Sequence, residues 1–198
     1  MITKEEVEAK FPGAMDNVKS ILASIGDNPT REGLIDTPFR VVKSWIELYA
    51  GYNHDISTVL STFFQEGLGE GELADEIVMC KNIDFTSICE HHMLPFSGVC
   101  HIGYLPNGKV LGLSKMARLV DIFASRLQIQ EKMTVDIAET MDMYLKPDGV
   151  GVIMEAQHFC MICRGVKKQN ASMITSAMKG KFKNQPQTRT EFLSLIKD

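Results

Sequence analysis

A surplus of positive charge is missing from this sequence: 25 Asp and Glu outnumber 21 Lys and Arg, leaving a formal net charge of −4. Domains that bind nucleic acid neutralise phosphates with a basic surplus, so that class is set aside, and any anion must be met by a local cluster of cations. Long apolar runs are missing too. No stretch approaches the roughly 18 uncharged residues of a membrane span, and Met1 to Lys10 is charged where a secretory signal would be basic and then apolar. These absences lead us to expect a cytoplasmic protein with neither nucleic-acid nor membrane partners. A disulfide framework is also absent, because the five cysteines are an odd number in a chain of 198 residues that is long enough to bury a core. Free thiols or metal ligands fit such a set better. No repeat, low-complexity tract or shift in composition marks a second domain, and we expect one domain over 1–198, with a helical portion at 1–60 and a sheet-and-helix portion at 61–198.

What is present is patterned. Val18, Ile21, Leu22 and Ile25 recur at helical spacing until Gly26-Asp27-Asn28-Pro29 breaks the run. A second helix is expected with Thr37 as N-cap and Pro38 in its first position, and with Val41, Val42, Trp45, Leu48 and Tyr49 as its apolar stripe. A glycine- and glutamate-rich loop follows at Gly67–Glu72. Glu76–Ile88 and Phe96–Tyr104 then read as strands, and Pro106-Asn107-Gly108-Lys109 as a hairpin turn, because Asn-Gly favours positive φ. Ser114 is expected to cap a helix with Met116, Leu119, Val120, Phe123 and Leu127 on one face. Met133, Ile137, Met141, Tyr144 and Leu145 repeat that pattern, so two helices should cover one sheet face. Gly149–Cys160 and Ser172–Met178 are further strand candidates, and Thr188–Lys197 reads as a terminal helix.

Cys89-Glu90-His91-His92 sets a thiolate and an imidazole three residues apart, a separation that one turn of backbone can bring to a common tetrahedral ion. Cys160 lies far downstream. Cys89, His92 and Cys160 make a candidate zinc set with one coordination position open, the arrangement that activates water. In an extended segment His158 and Cys160 point to one face and Cys163 to the other. His158 and His91 are then imidazoles beside the ion that do not ligate it, suited to acid and base work near neutral pH. The competing reading rests on the Cys160-Met161-Ile162-Cys163 spacing: with Cys163 as fourth ligand the site is closed, structural and inert. Spacing alone leaves these two even, with a redox pair or buried inert cysteines as lesser alternatives. Cys80, Cys100, His54 and His101 read as packing or surface residues.

Gly103 to Lys109 matches the spacing of a phosphate-binding P-loop, but Val110 stands where a Ser or Thr would hold magnesium. A Pro-Asn-Gly turn running into Val110 and Leu111 does not open a helix, and we reject the match. Gly112-Leu113-Ser114-Lys115 is the better anion site, since it opens a helix whose Lys115 and Arg118 are three apart on one face. Arg164 follows the metal segment, and Lys115, Arg118, Arg164, Arg40 and Lys43 together would suit a triphosphate.

Cys89-Glu-His-His92, His101-Ile-Gly-Tyr-Leu-Pro106, Gly112-Leu-Ser-Lys115, Gln128-Ile-Gln-Glu131 and His158-Phe-Cys160 followed by Arg164-Gly165 resemble the type I GTP cyclohydrolase family. Thr37-Pro-Phe-Arg40 and Thr188-Arg-Thr-Glu-Phe192 extend the resemblance from about Arg31 to the C-terminal helix. It implies an α+β tunnelling fold, an antiparallel sheet backed by two antiparallel helices, here with an N-terminal helical layer. It also implies a homodecamer of two stacked pentameric rings with active sites between subunits. Zinc would be held by Cys89, His92 and Cys160, with no ligand role for Cys163, and the substrate would be GTP. Glu131 would meet the guanine edge with Gln130 beside it, while Ser114, Lys115, Arg118, Arg164, Arg40 and Lys43 would meet the triphosphate. His91 and His158 would be the catalytic histidines. The implied reaction hydrolyses GTP at C8 by attack of an activated water, with His158 donating a proton to N7. Formate is released and 7,8-dihydroneopterin triphosphate forms, the first step of tetrahydrofolate and pterin biosynthesis. Two rival readings are another tunnelling-fold enzyme acting on a pterin or deazapurine, and a non-catalytic zinc-stabilised assembly module.

Overall fold

Helical spacing of apolar residues shapes the first of two units, Met1–Ala50. The computed structural model describes residues 2–60, 63–64 and 76–197, so the loop expected at Gly67–Glu72 lies outside the described residues. Helix α1 (Lys4–Lys10) starts from a capping box, in which the Thr3 side chain accepts from Glu6 N–H and the Glu6 carboxylate accepts from Thr3 N–H. Helix α2 (Ala14–Ser24) stops just before Gly26, whose φ of 96° no helix continues. Helix α3 (Thr37–Leu48) begins one residue earlier than expected: Asp36 holds the N-cap position and Pro38 the second helical one. Val7, Val18 and Val42 form this unit's core, with Leu22, Phe39 and Trp45 packed on it. Ile21 and Ile25, expected on the buried stripe of α2, are exposed.

The second unit, Gly51–Asp198, is the α+β part. A short helix α4 (Ile56–Val59) precedes β1 (Phe63–Phe64), β2 (Val78–Cys89), β3 (Pro95–Leu105) and β4 (Val110–Leu111). Helix α5 (Leu113–Ala124), β5 (Leu127–Gln128), α6 (Gln130–Leu145) and β6 (Gly149–His158) come next, then α7 (Phe159–Ile162), β7 (Met173–Gly180), α8 (Lys181–Asn184) and α9 (Pro186–Lys197). The main sheet has the order β5-β2-β3-β6-β7, antiparallel throughout except for the short parallel pairing of β2 with β5.

Period-2 alternation decides which side chains meet the helices. On β3 the even positions Phe96, Cys100, Ile102 and Tyr104 enter the core, and on β6 so do Val150, Val152, Met154 and Ala156. Leu119, Val120 and Phe123 of α5 and Met133, Ile137 and Met141 of α6 cover that face as expected. The odd positions Leu105 and Ile153 join a smaller core with Phe182 and Phe192 on the opposite face. Strand β6 is therefore buried on both sides, which explains its nearly charge-free sequence. Each fully buried Met or Ile contributes on the order of 1.5–3 kcal/mol relative to exposure. Gly98 has a steric reason: a Cβ there would run into the Glu155 carbonyl oxygen of the paired strand.

Three local expectations are corrected. Residues 106–109 do turn, with Gly108 at φ 68°, but they do not close a hairpin, because β4 pairs with β1 and not with β3. Ser114 is the second residue of α5 and makes no cap bond; Gly112 takes the cap position. The strand expected to run through Cys160 ends at His158, and Cys160 sits in the helical turn α7. The parity that paired His158 with Cys160 therefore does not apply.

Candidate metal centre and active site

Strands β2 and β6 are each antiparallel to the β3 strand between them, so they run in the same direction and end at the same end of the sheet. Cys89 is the last residue of β2 and His158 the last of β6, with α7 and Cys160 directly after it. The link from β2 to β3 is tight. Met93 N–H donates to the Cys89 carbonyl at 2.8 Å, Cys89 N–H donates to the Leu94 carbonyl at 2.9 Å, and Met93 takes φ 53° to close the turn. His92 is thereby held on an exposed turn beside the buried Cys89.

The ligand atoms of Cys89, His92 and Cys160 all lie within 4.8 Å of one another. Neighbouring ligands of a tetrahedral zinc, with Zn–S of about 2.3 Å and Zn–N of about 2.0 Å, stand roughly 3.5–3.8 Å apart, so the group fits that ion with little movement. Burial and the neighbouring Cys89 thiol push the Cys160 thiol up, since two thiolates side by side repel. A dication reverses that balance and deprotonates both. Cys163, which the closed alternative requires, is exposed, and its Sγ donates to the Phe159 carbonyl at 2.9 Å. It stands outside the group, which offers three protein ligand atoms among the described residues.

Other groups surround this centre. An Arg164 guanidinium N–H donates to His92 Nε2 at 3.2 Å and to the Cys160 carbonyl at 3.4 Å. His91 Nδ1 is 3.9 Å from Cys89 Sγ. His158 stacks on Phe96, its register partner on β3, with centroids 4.6 Å apart and planes 4° from parallel. His158 Nε2 lies 2.8 Å from Gln130 Oε1. Burial pulls the His158 pKa below the ordinary imidazole value, against an opposing pull from Glu131.

Gln130, expected beside Glu131 at the guanine, is fully buried. Its amide nitrogen faces the Met154 carbonyl at 3.1 Å, the Met173 carbonyl at 2.9 Å and Thr175 Oγ1 at 3.1 Å. Its side chain is thus engaged inside the protein. Glu131 is exposed in the first turn of α6, so its carboxylate is open to a ligand.

Ser114, Lys115 and Arg118 lie in the first two turns of α5, with Ser114 and Arg118 exposed. Among the described residues no hydrogen bond or ion pair joins these three to Cys89, His92 or Cys160. Arg40 and Lys43 lie on α3 in the N-terminal unit, where Arg40 is 3.9 Å from Asp36 and Lys43 lies over the Phe39 ring. Reading the sequence did not single out Phe96, Thr134 or Thr175. Thr134 was accessible from its spacing, four residues after Gln130 on the same helix face. Phe96 and Thr175 were not, because their roles depend on strand register. His101 and Cys100 are buried packing residues as expected, and His54 is exposed.

Comparison with known proteins bears on the whole chain. A family model described as GTP cyclohydrolase I matches residues 14–197. A protein of Wolinella succinogenes named GTP cyclohydrolase 1 is 53% identical over 191 residues, 96% of this chain and 100% of that protein. A Coxiella burnetii protein of the same name is 51% identical over 92% of this chain and 96% of its own length. The human protein of that name is 47% identical over 98% of this chain and 76% of its own length.

Proposed function

The chain belongs to the GTP cyclohydrolase I family, and on that premise we propose that it hydrolyses GTP at C8, releases formate and forms 7,8-dihydroneopterin triphosphate. The observation that carries this reading is the three-ligand group Cys89, His92 and Cys160, with Cys163 turned away from it. Zinc bound there supplies an activated water and a Lewis acid.

The chain's own residues do the rest. Glu131, exposed at the start of α6, accepts from the ring N–H and the exocyclic amine of guanine, a bidentate contact that adenine cannot reproduce. Its charge is felt by His158, whose pKa it raises, and this supports a guanine edge beside the proton-transfer group. His158 donates a proton to N7, and burial holds its pKa below the ordinary imidazole value. His91, beside Cys89, serves the later proton transfers. Arg164 holds a phosphate or the developing negative charge near the centre. Ser114, Lys115 and Arg118, in the first two turns of α5, receive the triphosphate.

We place the protein in the cytoplasm as a single catalytic domain and as a decamer of two pentameric rings. No helix among the described residues is long and apolar enough to cross a membrane. Among the described residues, strand β7 pairs on one side only, with β6, and Ile174 on it is 64% exposed, a surface that supports joining to a second sheet.

The reading is tested by incubating the purified protein with GTP, with and without a chelator, and assaying formate and the fluorescence of the oxidised pterin. Both products in stoichiometric amounts, lost on chelation and restored by zinc, support it. A pterin substrate consumed in place of GTP overturns it in favour of another tunnelling-fold enzyme.

A further inference from the structure

We propose that Gln130 is a positioning residue that confines proton exchange on His158 to Nδ1. The inference rests on the reading above, in which His158 takes part in GTP hydrolysis, and it follows from an inventory of protons around one buried amide. Gln130 is fully buried, and its amide nitrogen is 3.1 Å from the Met154 carbonyl and 2.9 Å from the Met173 carbonyl. Carbonyl oxygens only accept, so the group facing them must be the NH2. Turning the amide over would set its oxygen against both carbonyl oxygens, acceptor against acceptor.

The two threonines nearby are consistent with that orientation. Thr134 Oγ1 donates to the Gln130 backbone carbonyl at 2.7 Å, which commits its proton. Thr175 Oγ1, 2.6 Å from Thr134 Oγ1, must therefore be the donor in that pair. Its lone pairs then face the Gln130 nitrogen at 3.1 Å as acceptors. No donor is left over for the far side of the amide.

Gln130 Oε1 consequently points at His158, and at 2.8 Å it can only be met by an N–H on Nε2. The stack on Phe96 holds the ring in its plane. Nε2 keeps its proton whether the imidazole is neutral or cationic, because losing it sets two acceptors against each other in a buried place. Nδ1 is then the bare nitrogen of the neutral ring and the acid of the cation. Any proton that His158 exchanges therefore passes through Nδ1, and a mechanism that draws a proton from Nε2 is excluded.

The test uses zinc-loaded protein labelled with 15N on histidine, with the His158 resonances assigned by their loss in His158→Gln. The expected spectrum shows Nε2 as the protonated nitrogen and Nδ1 as the bare one in the neutral ring. A protonated Nδ1 with a bare Nε2, or two averaged nitrogens, overturns the proposal. In Gln130→Met with zinc retained, the two nitrogens should average, and kcat should fall roughly 10-fold or more while KM for GTP stays within about threefold. An unchanged tautomer in that folded variant overturns the role of Gln130. Should the variant not fold, the spectrum of the unaltered protein decides alone. A lost tautomer with full turnover upholds the assignment and instead removes His158 from the hydrolysis, so the two failures are distinguishable.

Discussion

Cys89 and Gln128 are register partners in the parallel pairing of β2 with β5, and the bond continues one residue on, where Glu90 N–H donates to the Gln128 carbonyl at 3.0 Å. The strand end that carries a metal ligand is thereby fastened to the residues that lead into α6, which carries Gln130 and Glu131. Gln128 is itself fixed, buried with its amide donating to the Phe123 carbonyl at 2.9 Å. Gln128→Ala leaves that carbonyl unpaired and should destabilise the fold by about 1–3 kcal/mol. A urea-unfolding midpoint unchanged from that of the unaltered protein contradicts this joint.

Removing Cys163 separates the open centre from the closed one. Its Sγ donates to a backbone carbonyl in an exposed position, so Cys163→Ala should keep one zinc per chain and full formate release. Cys160→Ala, by contrast, should lose zinc and formate release while GTP binding stays measurable, because the contacts proposed for Glu131, Ser114, Lys115 and Arg118 do not use the metal. Zinc content and titration of GTP binding check both variants, and zinc loss in Cys163→Ala would sink the three-ligand assignment.

Glu131→Gln exchanges an acceptor for a group that also carries donors. The variant should bind zinc normally and raise KM for GTP by roughly 10- to 100-fold, the equivalent of about 1.5–3 kcal/mol for a hydrogen bond to a charged group. Steady-state kinetics with GTP decide it, and an unchanged KM removes Glu131 from the guanine edge.

His101 gives a pH prediction away from the metal. It is buried, and its Nδ1 accepts from Asn82 N–H at 3.3 Å on the bulged part of β2. Burial lowers its pKa, with Glu155 pulling it up and Lys81 pulling it down. A folded-state pKa below the unfolded value means that its contribution to stability is complete above about pH 6.5 and is lost as pH falls through the folded value. An NMR titration of the His101 ring should show a midpoint below about 6.5; a midpoint above that value contradicts the burial argument.

Much of the fold was legible in the residues. Alternation on Phe96 to Tyr104 and helical spacing on Met116 to Phe123 and Met133 to Leu145 each point to one buried face, and burial obeys them except that Tyr144 is exposed and Leu127, expected on α5, lies in β5. What failed was local. Asn107-Gly108 marks a turn but cannot say which strand the next segment pairs with, and that strand is β1. Cys160 came out among the ligands although the parity argument for it fails, since the chain leaves the strand after His158. The metal set was legible because ligand chemistry is carried by residue type. The Gln130, Thr134, Thr175 and Phe96 surroundings of His158 were not, because they arise from strand register and helix docking. Gly98 belongs to the same class: its need for hydrogen at Cβ comes from the Glu155 carbonyl across the pair. Gly98→Ala should cost about 1–3 kcal/mol in urea unfolding at fixed zinc.

The proposed hydrolysis requires an ion held by two sulfurs and one imidazole with its fourth position free for water. X-ray absorption at the zinc edge of catalytically active protein reads that shell directly. Two sulfurs, one imidazole nitrogen and one further light atom from solvent are predicted. A third sulfur or a second imidazole in an active preparation would contradict it.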